Sequence, residues 1–243
     1  MGKMKMDPKK MLPEITKGFK ALYGDDLVSI TLYGSATGKD YRPGSSDINL
    51  MIVLTEKGIE QLDRAFDLVG KWRKKGVAVP LFLTENYITT SLDVFPIEYL
   101  NFRNHHVHVF GKEILKDLEF SPEFVRLQCE REIKGKLLLL REAFIGTEGK
   151  GKALKSLIKD ALPALVAIFE ALLYLKKIPV PKERREIIRK TADAFQLEYA
   201  IFEGLLHVKE EMSKISDEES LHLFKGCLRE MRKLSELVNS LGG

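Results

Sequence analysis

Two regimes of hydrophobic spacing divide the chain. Up to about residue 114 the period changes repeatedly, and from Ser121 onward it is helical throughout. Leu12, Ile15, Phe19 and Leu22 recur at helical spacing and predict a helix over residues 12–22. Leu27–Tyr33 (LVSITLY) is rich in strand-forming residues and stops at Gly34-Ser35, which predicts a strand. A loop containing Gly38, Pro43 and Gly44 follows, and then residues 47–54 (DINLMIVL) predict a second, largely buried strand. Ile59, Leu62, Phe66 and Val69 predict a helix over residues 59–72. Residues 77–83 predict a third strand, with Pro80 placing it at a bulge or an edge. Residues 88–94 predict a short helix, residues 95–102 a fourth strand with Pro96 near its start, and residues 107–110 a fifth, ended by Gly111.

Ser121-Pro122-Glu123 has the form of a helix start, a capping residue followed by proline at the first helical position. That helix runs towards Ile145, and the glycines at 146–151 break it. A second long helix is expected over about 152–176, ended by Pro179 and Pro181, with further helices near 182–195, 197–212 and 217–241. The last is amphipathic through Leu221, Phe224, Leu228, Met231, Leu234 and Val238. The change of regime puts a boundary near residues 114–121. The expected organisation is α+β: a mixed sheet with flanking helices in residues 1–116, then an all-α helical bundle in residues 117–243.

Composition narrows the function classes. A chain of 243 residues that is 44% hydrophobic is long enough for one large domain or two small ones with a real core. The net charge of +4, from 39 basic and 35 acidic residues, permits a phosphate-bearing ligand. It does not demand nucleic acid, and the strong basic stripe with interleaved aromatics that nucleic acid would want is missing, which disfavours that partner. Cys129 and Cys227 sit in apolar helical patterns, as small hydrophobes do, and suit a reducing compartment. The stretch from Ala161 to Leu175 is shorter than a membrane span and is interrupted by Pro163 and Glu170, and the first residues have no apolar segment of signal-peptide type. The expectation is a soluble, cytoplasmic protein with no membrane partner, for which a homodimer is allowed.

The segment that carries chemistry runs from Leu32 to Leu54. One strand ends in Gly34-Ser35, a polar loop follows, and the next strand opens with Asp47 and, two residues on, Asn49. Strand side chains alternate, so Asp47 and Asn49 share a face while Ile48, Leu50 and Ile52 point into the core. Two oxygen-bearing side chains on a rigid strand suit Mg²⁺, which is usually held by one or two carboxylates together with substrate phosphates. Gly34 lets backbone approach a phosphate, and the Ser35 hydroxyl with nearby N–H groups can donate to its oxygens. Glu98, in Phe95-Pro-Ile-Glu-Tyr-Leu100, offers a carboxylate from a neighbouring strand that could complete a metal site or accept a proton.

Gly34-Ser35, eleven intervening residues, Asp47-x-Asn49 and the later acid at Glu98 resemble the DNA polymerase β-type nucleotidyltransferase superfamily. The two-part layout is similar to the small antibiotic nucleotidyltransferases, in which a helical bundle follows the catalytic domain. The motifs cover roughly residues 27–110, and beyond them the likeness is architectural. The resemblance implies a nucleotidyltransferase-fold sheet and attack of an acceptor hydroxyl on the α-phosphate of a nucleoside triphosphate, with release of pyrophosphate. Gly34 and Ser35 would hold phosphate, with Lys39, Arg42 and Ser46 of the loop as further nucleotide contacts. Asp47 and Asn49 would bind Mg²⁺, or Mn²⁺ in its place, and Glu98 would be the third acid, as metal ligand or base. The acceptor would be a small molecule that the sequence does not name. The departure is Asn49, where the family pattern has Asp or Glu: asparagine offers a neutral carbonyl oxygen and no charge. The second reading is therefore a nucleotide-binding or regulatory protein with weakened or lost catalysis.

Other groups read as ordinary structure. Lys39 and Arg42 also fit an ordinary charged loop. His105, His106 and His108 have no partner Cys or acid at a recognised metal spacing. Lys134, Lys136, Lys150, Lys152 and Lys155 read as a solvated face around a helix–helix turn.

Overall fold

The structure, a computed structural model, describes residues 8–38, 41–42, 46–210 and 215–242. In the first half, helix α1 (Pro8–Tyr23) precedes strand β1 (Leu27–Tyr33), a short 3₁₀ turn at Gly34–Thr37 and strand β2 (Asn49–Leu54). Then come α2 (Glu56–Ile59), α3 (Phe66–Arg73), β3 (Leu81–Thr84), α4 (Glu85–Thr90), α5 (Pro96–Asn104) and β4 (His106–Gly111). The four strands form one sheet in the order β3-β2-β1-β4. It is mixed: β1 runs antiparallel to β2 and to β4, whereas β2 and β3 are parallel.

The alternation of β1 explains how this sheet packs. Ile30 and Leu32 join Ile48, Leu50, Ile52 and Leu54 in a core closed by Met11, Ile15 and Phe19 of α1 and by Trp72 of α3. Burying such side chains stabilises by roughly 1.5–3 kcal/mol each before the entropy of ordering them is counted. Ser29, Thr31 and Tyr33 point to the other face, where the Tyr33 ring meets Phe102 of α5 edge-on at 4.7 Å.

Four expectations for this half are corrected. Residues 95–102 are not a strand. Pro96 starts α5, and Pro96 with Tyr99 and Ile97 with Leu100 are buried at the i, i+3 spacing of a helix while Glu98 is exposed. The helix expected over 59–72 is broken. Thr55 caps α2 three residues early by accepting the Gly58 N–H at 3.0 Å, and burial falls on Gly58, Ala65 and Trp72 while Phe66 is 73% exposed. The third strand begins at Leu81 rather than 77, although Val77 forms an isolated parallel bridge with Ile48. The short helix after it is capped by Thr84, whose hydroxyl accepts the Tyr87 N–H at 3.1 Å, so it starts earlier than expected and ends at Thr90.

The described residues from 122 onward carry only helices: α6 (Pro122–Gly146), α7 (Gly151–Leu175), α8 (Arg184–Phe195), α9 (Tyr199–Glu210) and α10 (Asp217–Asn239), with a terminal 3₁₀ turn. Their core runs along α7 through Leu154, Ile158, Leu162, Leu165, Phe169 and Leu172. Phe169 meets Phe202 of α9 edge-on at 5.2 Å, and Phe144 of α6 stacks on Phe224 of α10 at 5.0 Å. The apolar stretch around Ala161–Leu175 is thus bundle core, and no helix among the described residues is long and apolar enough to cross a membrane. Cys129 and Cys227 are buried free thiols.

The chain divides into two compact units. One comprises residues up to Leu92 with Tyr99–Glu119, and the other comprises Asp93–Glu98 with the residues from Phe120 on. The division passes through the first turn of α5, so Glu98 belongs to the unit that holds the bundle.

Candidate functional site

Antiparallel pairing of β1 with β2 decides where the motif residues meet. Tyr33, the last residue of β1, pairs with Asn49, the first of β2, so the turn that leaves β1 lies at the same sheet end as the residues that enter β2. Gly34 takes φ +76, a left-handed conformation that glycine adopts without penalty. Its N–H donates to the carbonyl of His105 at 3.0 Å, and its own carbonyl accepts the Thr37 hydroxyl at 2.8 Å. The Gly-Ser turn is therefore held from both sides, by the residue before β4 and by the loop itself. Ser35 is half-buried on the turn.

Across from it, Ile48 is pinned by its backbone: its N–H donates to Gly76 at 3.2 Å and its carbonyl accepts the Ala78 N–H at 2.9 Å. With Ile48 at 2% exposure facing the core, Asp47 and Asn49 on either side of it take the opposite face by alternation. Asp47 is exposed and Asn49 is half-buried against the turn; a Cβ placed on Gly34 would lie 3.4 Å from the Asn49 side-chain nitrogen. The loop closes locally, with the Ser46 N–H donating to the Arg42 carbonyl at 2.8 Å and the Arg42 N–H donating to the Ser46 hydroxyl at 3.1 Å. The Ser46 oxygen thus already accepts a backbone bond, while the Arg42 side chain is exposed. Lys39 lies outside the described residues.

Gly34 and Asn49 are brought together, with Ser35 and Asp47 at the same end of the sheet. Glu98 is on a helix and in the other unit, and its Oε2 accepts a bond from the Gln128 amide at 2.7 Å. Burial pushes the Tyr33 phenol up from its ordinary value, which keeps this neighbour of Asn49 neutral. The side chains at the sheet end, one exposed carboxylate, one amide and a hydroxyl, offer oxygen ligands. They fit a hard cation that retains waters and phosphate ligands, not a closed protein cage. Among the described residues no group of three or more His, Cys, Asp or Glu side chains forms a metal cluster. His106 instead has Nδ1 2.9 Å from the Arg103 carbonyl and Nε2 3.8 Å from Glu113, and His108 Nδ1 is buried without a hydrogen-bond partner.

Two contacts escaped the sequence. The His105 carbonyl that holds Gly34 carries no side-chain signature at all. The partner of Glu98, Gln128, did leave one: it interrupts the buried stripe of Val125, Cys129 and Ile133 on α6, and a polar residue there must find partners.

No protein-family model matches the chain, and no curated protein matches it in sequence. Among solved structures it is similar to the spectinomycin adenyltransferase AAD(9) from Enterococcus faecialis, crystallised with ATP and spectinomycin. The TM-score is 0.51 at 10% identity, over 92% of this chain and 99% of that one. At that identity the likeness is one of fold: this chain has a nucleotidyltransferase-like fold, a mixed sheet with flanking helices followed by a helical bundle.

Proposed function

We propose that the chain transfers a nucleoside monophosphate from a nucleoside triphosphate to a hydroxyl of a small-molecule acceptor. The observation that carries the reading is the convergence of the Gly34-Ser35 turn with Asp47 and Asn49 at one end of the sheet. The turn would receive phosphate oxygens through the Ser35 hydroxyl and nearby backbone N–H groups, with the exposed Arg42 as a further contact. Asp47 and Asn49 would hold Mg²⁺, which when bound offsets the triphosphate's negative charge. In the transfer, the acceptor oxygen bonds to the α-phosphorus, the bridging bond to the β-phosphate breaks, pyrophosphate leaves, and the hydroxyl proton passes to a general base. ATP is the first nucleotide to test, because the structural neighbour was crystallised with it.

The second reading, a binding or regulatory protein without turnover, is favoured by the amide at Asn49. Calorimetry with ATP and each other nucleoside triphosphate, in Mg²⁺ and then Mn²⁺, tests both. Metal-dependent binding that Asp47→Ala abolishes supports either reading, and pyrophosphate release on adding acceptors selects the first. A chain that binds no nucleotide with either metal refutes both.

A further inference from the structure

Helix α6 carries a second apolar stripe on the side turned away from its own bundle. Leu127 is 46% exposed, Leu138 67% and Ile145 75%. With Arg131, Gly135 and Glu142 they recur at steps of three or four residues, so all six lie on one face, opposite the buried Cys129, Ile133, Leu137 and Leu140. Single exposed leucines are ordinary, but a row of them along one helix marks a surface that is covered. Gly135 adds an independent sign. Glycine weakens a helix interior relative to alanine, and a Cβ placed here would meet nothing within 4 Å, so no contact inside the chain calls for it. Glu142 has no ion pair or hydrogen bond among the described residues, and Arg131 only a long one, 3.7 Å to Glu132.

This stripe is complementary to itself when reversed. With a second copy of α6 laid antiparallel so that Gly135 faces Leu138, the same register sets Arg131 opposite Glu142 and brings Leu127 beside Ile145. A two-fold axis makes each contact twice. Gly135 is then the hole that admits the leucine of the other copy. At 1.5 Å per residue the two Arg131 side chains, and likewise the two Glu142, stand about 16 Å apart along the axis, beyond the screening length of about 10 Å at 0.1 M salt. A parallel pair would instead set each charge against itself. We propose that this face of α6 is the contact of an antiparallel homodimer. One helix face is small beside the roughly 800 Å² per partner of a standard interface, so the dimer is a dissociable one. The pairing is independent of the chemistry at the sheet end.

Sedimentation equilibrium of the chain over a range of concentrations tests it, with the melting temperature of dilute protein read for each variant. Wild type should show a monomer–dimer equilibrium. Leu138→Ser should raise the dimer Kd roughly a hundredfold, because two leucines lose their cover. Gly135→Gln removes a helix-weakening residue but fills the hole, so it should weaken the dimer while the melting temperature holds or rises. Arg131→Glu and Glu142→Arg should each raise Kd roughly tenfold by setting like charges opposite one another. An equal mixture of those two variants should dimerise again, since the hybrid regains both ion pairs. A wild-type chain that stays monomeric up to about 1 mM overturns the proposal. If that monomer binds phosphatidylserine vesicles and Leu138→Ser does not, a membrane surface covers the face instead. A dimer that Leu138→Ser leaves intact uses another surface, and a mixture that fails to reassociate refutes the antiparallel register; either result also overturns it.

Discussion

Gly34 and Asn49 face each other across the end of the sheet, so closely that a Cβ on Gly34 would sit 3.4 Å from the Asn49 amide nitrogen. The contact follows from the register Tyr33↔Asn49, which in turn follows from alternation: a slip of one residue would turn Leu50 and Ile52 out of the core. The same pairing that buries the core therefore sets the turn against the strand opening.

Gly34→Ala should be costly for two separable reasons. At φ +76 an L-residue loses about 1–2 kcal/mol relative to glycine. The added methyl also occupies the space beside Asn49. Urea unfolding should show a lower midpoint at unchanged slope, and calorimetry should show loss of Mg–ATP binding larger than the stability change explains. Wild-type binding in this variant would mean that the turn is not a phosphate site.

The two cysteines predict the alkaline behaviour of the helical unit. Burial pushes the thiol of Cys129 up to about 12, with the negative charge of Glu132 adding to it. Cys227 is likewise pushed up to about 12 by burial, with Glu230 adding to it. In the unfolded chain these thiols ionise near the ordinary value of 9.0. The folded state thus keeps protons that the unfolded state releases. Its stability is fully present below pH 9.0 and falls as pH rises towards 12, by about 1.4 kcal/mol per pH unit per thiol. Urea midpoints taken from about pH 8.5 to 9.8 should drop, and Cys129→Ala/Cys227→Ala should flatten that slope whatever the pair costs in absolute stability. A slope unchanged by the double substitution would assign it to other groups.

Much of this fold was legible because most of its elements carry one period each. β1, β2, β4 and the long helices α6, α7 and α10 fall where apolar spacing put them. The misread segments are those in which local hydrogen bonding or context outweighs composition. Phe95–Phe102 has the aromatic and branched residues of a strand, yet Pro96 at a first helical position and Glu98 in the first turn are helix-start signals. Thr55 starts α2 by a side-chain bond that no hydrophobic pattern encodes. The placement of the Gly34-Ser35 turn at the same sheet end as Asp47 and Asn49 was readable because turn chemistry and alternation fix it locally. The Glu98–Gln128 bond joins residues thirty positions apart and was not.

Asn49→Asp decides between turnover and binding alone. In the arrangement that the motif resembles, an acid at this position helps to hold the metal ions that accompany the triphosphate. The asparagine contributes an oxygen without charge. A unit charge at 4 Å is worth roughly 4 kcal/mol at an effective dielectric of 20, and competition with water and rearrangement reduce it. A net gain of about 1–3 kcal/mol, or about tenfold to a hundredfold in affinity, is expected when the charge is restored. Asn49 is half-buried and Asp47 beside it is exposed, so the two carboxylates are partly screened by water. Without metal, their repulsion should therefore cost little stability, and that cost should vanish on adding Mg²⁺. Calorimetry should show tighter Mg–ATP binding in Asn49→Asp than in wild type, and pyrophosphate release should rise with it if the chain turns over. Tighter binding without faster release would favour a nucleotide-binding protein. Weaker metal–nucleotide binding in an intact fold would remove Asn49 from the metal site, and fast release by the wild-type chain would show that a neutral oxygen suffices there.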